Sequence, residues 1–179
     1  MTDKLLGFGD GLTKTLRDMG DGTYAEVVAS GSKAVAVAAT FTPAATSHTG
    51  LDSVGGAKTF VVPNSSGKMV KIIGYTFSID STTPQTTLWR LFLYNATPAV
   101  VADDAAYAVV TADGAKFLGI IDIAATTDFT STWQQSEANN LTKPIQLVTD
   151  TITAYLQNIT TATLEAVAHK VTLIFEPMS

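Results

Sequence analysis

Trp89, Leu91 and Leu93 alternate with Leu88, Arg90, Phe92 and Tyr94. A β-strand puts these two sets on opposite faces, and apart from Arg90 both sets are apolar or aromatic. Such a strand has to be covered on both sides, so it belongs inside a layered β structure. The residues after Tyr94 read as a connection. Asn95 to Pro98 breaks the strand, Asp103 or Asp104 is placed to cap one or two helical turns over Ala105 to Val109, and Asp113-Gly114 turns the chain into FLGIIDI.

The same alternation continues on either side. It predicts strands over Lys58 to Val62, Met69 to Asp80, Gln85 to Asn95, Phe117 to Ala124, Phe129 to Glu137, Ile145 to Val148, Thr151 to Ile159 and Val167 to Glu176. Turn residues separate them, at Pro63 to Gly67, Ser81 to Pro84, Asn139-Asn140 and Thr149-Asp150. Parity assigns core faces to Ile73, Tyr75, Phe77 and Ile79, to Ile152, Ala154 and Leu156, and to Val171, Leu173 and Phe175. Lys71, Thr153, Gln157, Thr172 and Glu176 fall on the opposite faces. The expected fold is all-β, an antiparallel sandwich of jelly-roll-like type.

The first third is different. Six of the 13 glycines lie in the first 31 residues, among isolated hydrophobes and alternating charges, and such a segment cannot bury a core of its own. Residues 1–33 are expected to form an extended N-terminal arm with one short strand after Asp21-Gly22, and residues 34–57 a linker preceded by Ala34 to Phe41, an Ala/Val run readable as helix or strand in which Val35 and Val37 at period two favour strand. Residues 58–179 then make the sandwich.

Composition narrows the function. The 179-residue chain has no cysteine and two histidines, His48 and His169, so thiolate chemistry is excluded and an imidazole zinc site would need carboxylates to complete it. No metal and no cofactor is expected. Net charge is −5 with two arginines, Arg17 and Arg90, which leaves no basic stripe for nucleic acid. The opening residues hold no apolar run of signal-peptide length, and no stretch reaches membrane-spanning length, so neither a membrane nor a secretory route is expected. Four N-x-S/T triplets, at Asn64, Asn95, Asn140 and Asn158, are what a threonine-rich chain yields by chance.

Candidate chemistry is thin. Gly7 to Gly11, GFGDG, has the spacing of a phosphate loop without a preceding strand or a following G-K-S/T. Ser47, His48 and Asp52 share a loop, but nothing there strains a serine into a nucleophile. His169, beside Lys170, reads as a surface or interface histidine. Asp103, Asp104, Asp113, Asp122 and Asp128 form an acidic cluster opposed only by Lys116; calcium is one reading of Asp103 and Asp104, and helix capping with a solvated loop is the preferred one. Trp89, Trp133, Tyr75, Tyr94, Tyr107 and Tyr155 could stack on sugars, yet most lie at core parity. Trp133, among Thr130, Ser131, Thr132, Gln134 and Gln135, reads instead as an edge or interface residue.

In order, the phrases IIGYTFSIDSTTPQTTLWRLFLYNATP, DDAAYAVVTADGAKFLGIIDI, KPIQLVTDTITAYLQNIT and HKVTLIFEP resemble a family of small tailed-bacteriophage virion proteins. The likeness runs from Met69 to Pro177, and LRDMGDGTYAEVVA separately looks like phrases near the ends of phage structural proteins. The resemblance implies a non-enzymatic, capsid-associated β-sandwich of decoration or cement type. Its partners would be the major capsid protein and sister subunits, with a trimer suited to local three-fold positions, and its location the virion, assembled in the host cytoplasm. Within that reading Leu5, Leu6, Phe8, Leu12, Leu16, Met19 and Tyr24 are expected to contact the shell or a sister subunit, together with Trp133. The alternative is a carbohydrate- or receptor-binding virion module, which requires Trp133 or Tyr107 to face solvent and would make a glycan the partner.

Overall fold

The computed structural model describes residues 34–130 and 132–178, and three strands in backbone before them. The chain forms two compact units, Met1–Ser32 and Lys33–Ser179. In the first, β1 (Lys4–Gly7), β2 (Thr13–Asp18) and β3 (Tyr24–Val27) make an antiparallel sheet in the order β1-β2-β3. One short strand was expected here and three are present. A lone strand leaves its amides and carbonyls without partners, whereas a three-stranded meander pairs them locally.

The second unit is an antiparallel β-sandwich. Its strands are β4 (Val35–Phe41), β5 (Ser47–His48), β6 (Ser53–Val61), β7 (Met69–Ile79), β8 (Trp89–Tyr94), β9 (Phe117–Ile123), β10 (Thr127–Thr130), β11 (Trp133–Gln146), β12 (Thr151–Asn158), β13 (Ala162–Thr163) and β14 (His169–Pro177). One sheet runs β10-β11-β7-β14-β4, the other β6-β12-β8-β9, and β13 pairs with β5. Between the two main sheets lies one core, built from Phe41, Phe60, Ile72, Phe77, Trp89, Leu91, Leu93, Ile152, Leu156, Leu173 and Phe175 among others. Phe77 of one sheet meets Trp89 of the other edge to face, with centroids 5.3 Å apart.

The prediction for β8 holds on both faces from Trp89 to Tyr94 apart from Arg90, while Leu88, expected to be covered, precedes the strand and is exposed. Trp89, Leu91 and Leu93 enter the inter-sheet core, while Phe92 and Tyr94 pack with Tyr107 and Tyr155 in a second cluster beneath the 95–116 connection. That connection covers the outer face of the four-stranded sheet. It also explains why Thr153 and Gln157, expected on an outward face, are buried.

Helix is absent from 105–109. Instead Asp104 N donates to Ser53 O, Ser53 N to Ala105 O and Tyr107 N to Leu51 O, so the connection pairs with the approach to β6. A helix of one or two turns is marginal, and this long-range pairing satisfies the same backbone groups. A 3₁₀ turn forms later, over Thr111–Lys116.

Three other differences come from bulges. The core parity of β7 changes midway: Val70 and Ile72 are buried, then Tyr75, Phe77 and Ile79, with Ile73 only half-buried. Ile73 is the extra residue, because Gly74 and Ile72 face consecutive residues, Ile174 and Phe175, on β14. Asn139-Asn140, expected as a turn, lies within β11 at a second irregularity, between Asn139 and Lys143, and the expected strand Phe129 to Glu137 is instead broken after Thr130, where β10 turns back to pair antiparallel with β11. The expected linker contains the start of β6. There Gly55 and Gly56 have φ of 69° and 65° and form a bulge against β12. A Cβ on Gly55 would lie 2.5 Å from Thr42 N, so only glycine lets β6 approach the end of β4 this closely.

Candidate functional site

Several of the polar residues singled out in the sequence hold loops, while Asp104, Asp122 and Asp128 are exposed. Asp103 Oδ2 accepts from Ala44 N at 2.6 Å, and its Oδ1 accepts from Gly55 N at 2.6 Å and faces His48 Nε2 at 3.3 Å. Burial opposes the ionised carboxyl, but the two amides and His48 outweigh it and hold its pKa below the ordinary aspartate value. Asp103 therefore fastens the 95–116 connection to two other segments rather than capping a helix. Asp104 Oδ2 accepts from Thr46 Oγ1 at 3.4 Å.

Ser47, His48 and Asp52 do not assemble as a triad. His48 is buried with Nδ1 facing Thr46 O and Nε2 facing Asp103, while Asp52 accepts from the amide and hydroxyl of Thr49, each at 2.6 Å. The acidic cluster is dispersed as well. Asp113 accepts from Ala99 N at 2.8 Å and Lys116 Nζ at 3.0 Å, Asp122 accepts from Arg90 Nε at 2.7 Å, and Asp128 pairs in register with Gln134. Among the described residues, no three His, Asp or Glu side chains converge as a metal site requires.

His169 is not at the surface. It is fully buried on β14, edge-on to Trp89, with Nδ1 donating to Val167 O at 3.0 Å. Its neighbours in the register, Ile79 and Phe41, are core residues, and the alternation of β14 already placed position 169 on the Val171 face.

Tyr107 is buried too, and its hydroxyl hydrogen-bonds that of Tyr94 while its ring stacks on Tyr155. Burial first, and then the Tyr94 hydroxyl, push the Tyr107 pKa far above the ordinary phenol value. The aromatic exposed on the sandwich is Trp133, at 46%, and beside it Phe129, at 62%, with ring centroids 6.2 Å apart. Phe129 was not singled out in the sequence; its polar neighbours Thr127, Asp128 and Thr130 carry the same signal as those of Trp133.

Of the expected interface residues in the first unit, Leu5 and Leu6 lie on β1, Leu16 on β2 and Tyr24 on β3. The register sets Leu5 opposite Thr15, Leu6 opposite Lys14, Leu16 between Lys4 and Glu26, and Tyr24 opposite Asp18. Phe8, Leu12 and Met19, like most of GFGDG, lie outside the described residues.

An apolar cleft of about 280 Å³ opens at one end of the sandwich, lined by Val35, Val62, Val70, Phe175 and Pro177, with Lys68 its one charged lining residue. It holds no pair of groups that could act as acid and base. No family model, curated protein or solved structure matches this chain.

Proposed function

We propose that this chain is a non-enzymatic virion structural protein, a decoration protein that binds an assembled phage head lattice and stabilises it. The observation that carries the reading is the division into two compact units, a small antiparallel sheet in Met1–Ser32 and a sandwich in Lys33–Ser179. A small sheet can add to a neighbour's sheet edge through main-chain hydrogen bonds. Many weak attachments on one lattice then act together, and a subunit that binds the lattice but not the free shell protein stabilises the lattice by mass action.

The sandwich side supports the reading through its polar groups. Asp52, Asp103, Asp113 and Glu165 accept hydrogen bonds from loop amides or hydroxyls, so they serve the rigidity of the body. The partners are the major capsid protein and sister subunits, with a trimer matching local three-fold positions.

Co-sedimentation of the full chain, and of a chain lacking residues 1–33, with expanded heads tests this reading. The full chain should pellet with the heads and the truncated chain should stay in the supernatant while keeping its β-sheet circular dichroism. Equal pelleting of the two would defeat attachment through the first unit.

A further inference from the structure

We infer that the solvent face of the five-stranded sheet, beginning at Trp133 and Phe129, is a binding surface for a neutral carbohydrate chain. Residues directly opposite one another in a sheet share a face. Gln135 lies opposite Ser78, which lies opposite Lys170; one step along, Glu137 lies opposite Thr76, which lies opposite Thr172. Trp133 is two residues before Gln135 on the same strand and on the same side, while Gln134 and Ser136 between them point into the sandwich.

The face therefore starts with two exposed rings and continues as two rows of carboxamide, carboxylate, hydroxyl and ammonium groups, after which Asn139, Gly74 and Ile174 follow. Gln135 Nε2 donates to Glu137 Oε2 at 3.4 Å, which aligns those two side chains along the strand. From Trp133 to Glu137 the strand rises about 13 Å, room for about two or three pyranose rings laid along it.

This chemistry selects among ligands. A pyranose offers an apolar C–H face to an aromatic ring and a rim of hydroxyls that both donate and accept, which is what amides, hydroxyls and a carboxylate bind. A protein-interface core would call for apolar surface beyond the rings, and the next two rows supply hydrogen-bonding groups instead. Nucleic acid would call for surplus positive charge, whereas Lys170 is balanced by Glu137. Glycan binding at this face is independent of shell binding, which concerns residues 1–33.

Trp133 also supplies the measurement. The chain has two tryptophans, and Trp89 is fully buried, so acrylamide quenching and a red-shifted emission report Trp133. The full chain is screened on a printed panel of neutral glycans, then titrated in solution with maltohexaose, chitohexaose and any neutral oligosaccharide retained on the panel. The expected result is saturable protection of Trp133 from quenching. Trp133→Ala and Phe129→Ala should each weaken binding about tenfold or more, and Trp133→Tyr should restore most of it. Three results would each overturn the inference: no neutral glycan protects Trp133 at millimolar concentration, Trp133→Ala binds as the parent does, or protection follows protein concentration alone, which marks a second copy as the occupant.

Discussion

His169 and Trp89 meet edge to face in the centre of the sandwich, with ring centroids 5.2 Å apart and planes at 63°. Both are fully buried, and neither His169 Nε2 nor Trp89 Nε1 has a hydrogen-bond partner among the described residues. Burial, more than the opposing bond to Val167 O, lowers the His169 pKa from 6.5 to about 4. In the unfolded chain the imidazole takes up its proton first. Stability from this group is thus complete above pH 6.5 and is lost as pH falls towards about 4, by about 3 kcal/mol in all. Urea unfolding across that range should show the decline, and His169→Phe should flatten it; an unchanged slope in the variant would contradict the assignment.

Asp103 should behave as a clasp. Replacing it with Ala leaves the Ala44 and Gly55 amides without their acceptor, and the expected loss is about 2 kcal/mol, read by denaturant unfolding. Since its oxygens already serve internal donors, calcium or a chelator should leave Tm where it was. A calcium-dependent rise in Tm would reinstate the cation reading of Asp103 and Asp104.

Adjacent isoleucines should differ sharply. Ile72→Ala removes a fully buried side chain and should cost about 2–5 kcal/mol, whereas Ile73→Ala, at the half-buried bulge, should cost about 1 kcal/mol. Comparable losses would mean that the bulge is misplaced.

Much of this fold is legible in the sequence. β14 is readable because its burial alternates from end to end, β12 because Ile152, Ala154 and Leu156 recur at period two, although its other face is buried as well, and β8 because both its faces are largely apolar. On β7 a single inserted residue, Ile73, shifts the phase, and parity counted backwards from Phe77 then lands on the wrong isoleucine. The 105–109 segment fails for another reason: its backbone partners, Leu51 and Ser53, lie some fifty residues away, and local capping rules do not see them. Asp103 stands out in the sequence for its charge, but what its charge is for depends on Ala44 and Gly55.

Gly55 and Gly56 offer a paired test of the bulge in a stretch whose composition reads as linker. Gly56→Ala has open space around the new Cβ, so it should cost only the left-handed backbone penalty, about 1 kcal/mol. Gly55→Ala adds a collision with the backbone of Phe41 and Thr42 and should lower Tm well beyond the Gly56 variant. Equal effects would count against the close approach of β6 to β4.

Attachment through the first unit is the central proposal, and a density map of heads carrying the full chain tests it most directly. The expected map has Met1–Ser32 against the shell, with strands paired to a shell or sister-subunit edge, and the Lys33–Ser179 sandwich projecting outward. A map in which the sandwich sits on the shell and Met1–Ser32 makes no contact with shell or sister subunit would contradict it, as would heads bearing no density for the chain.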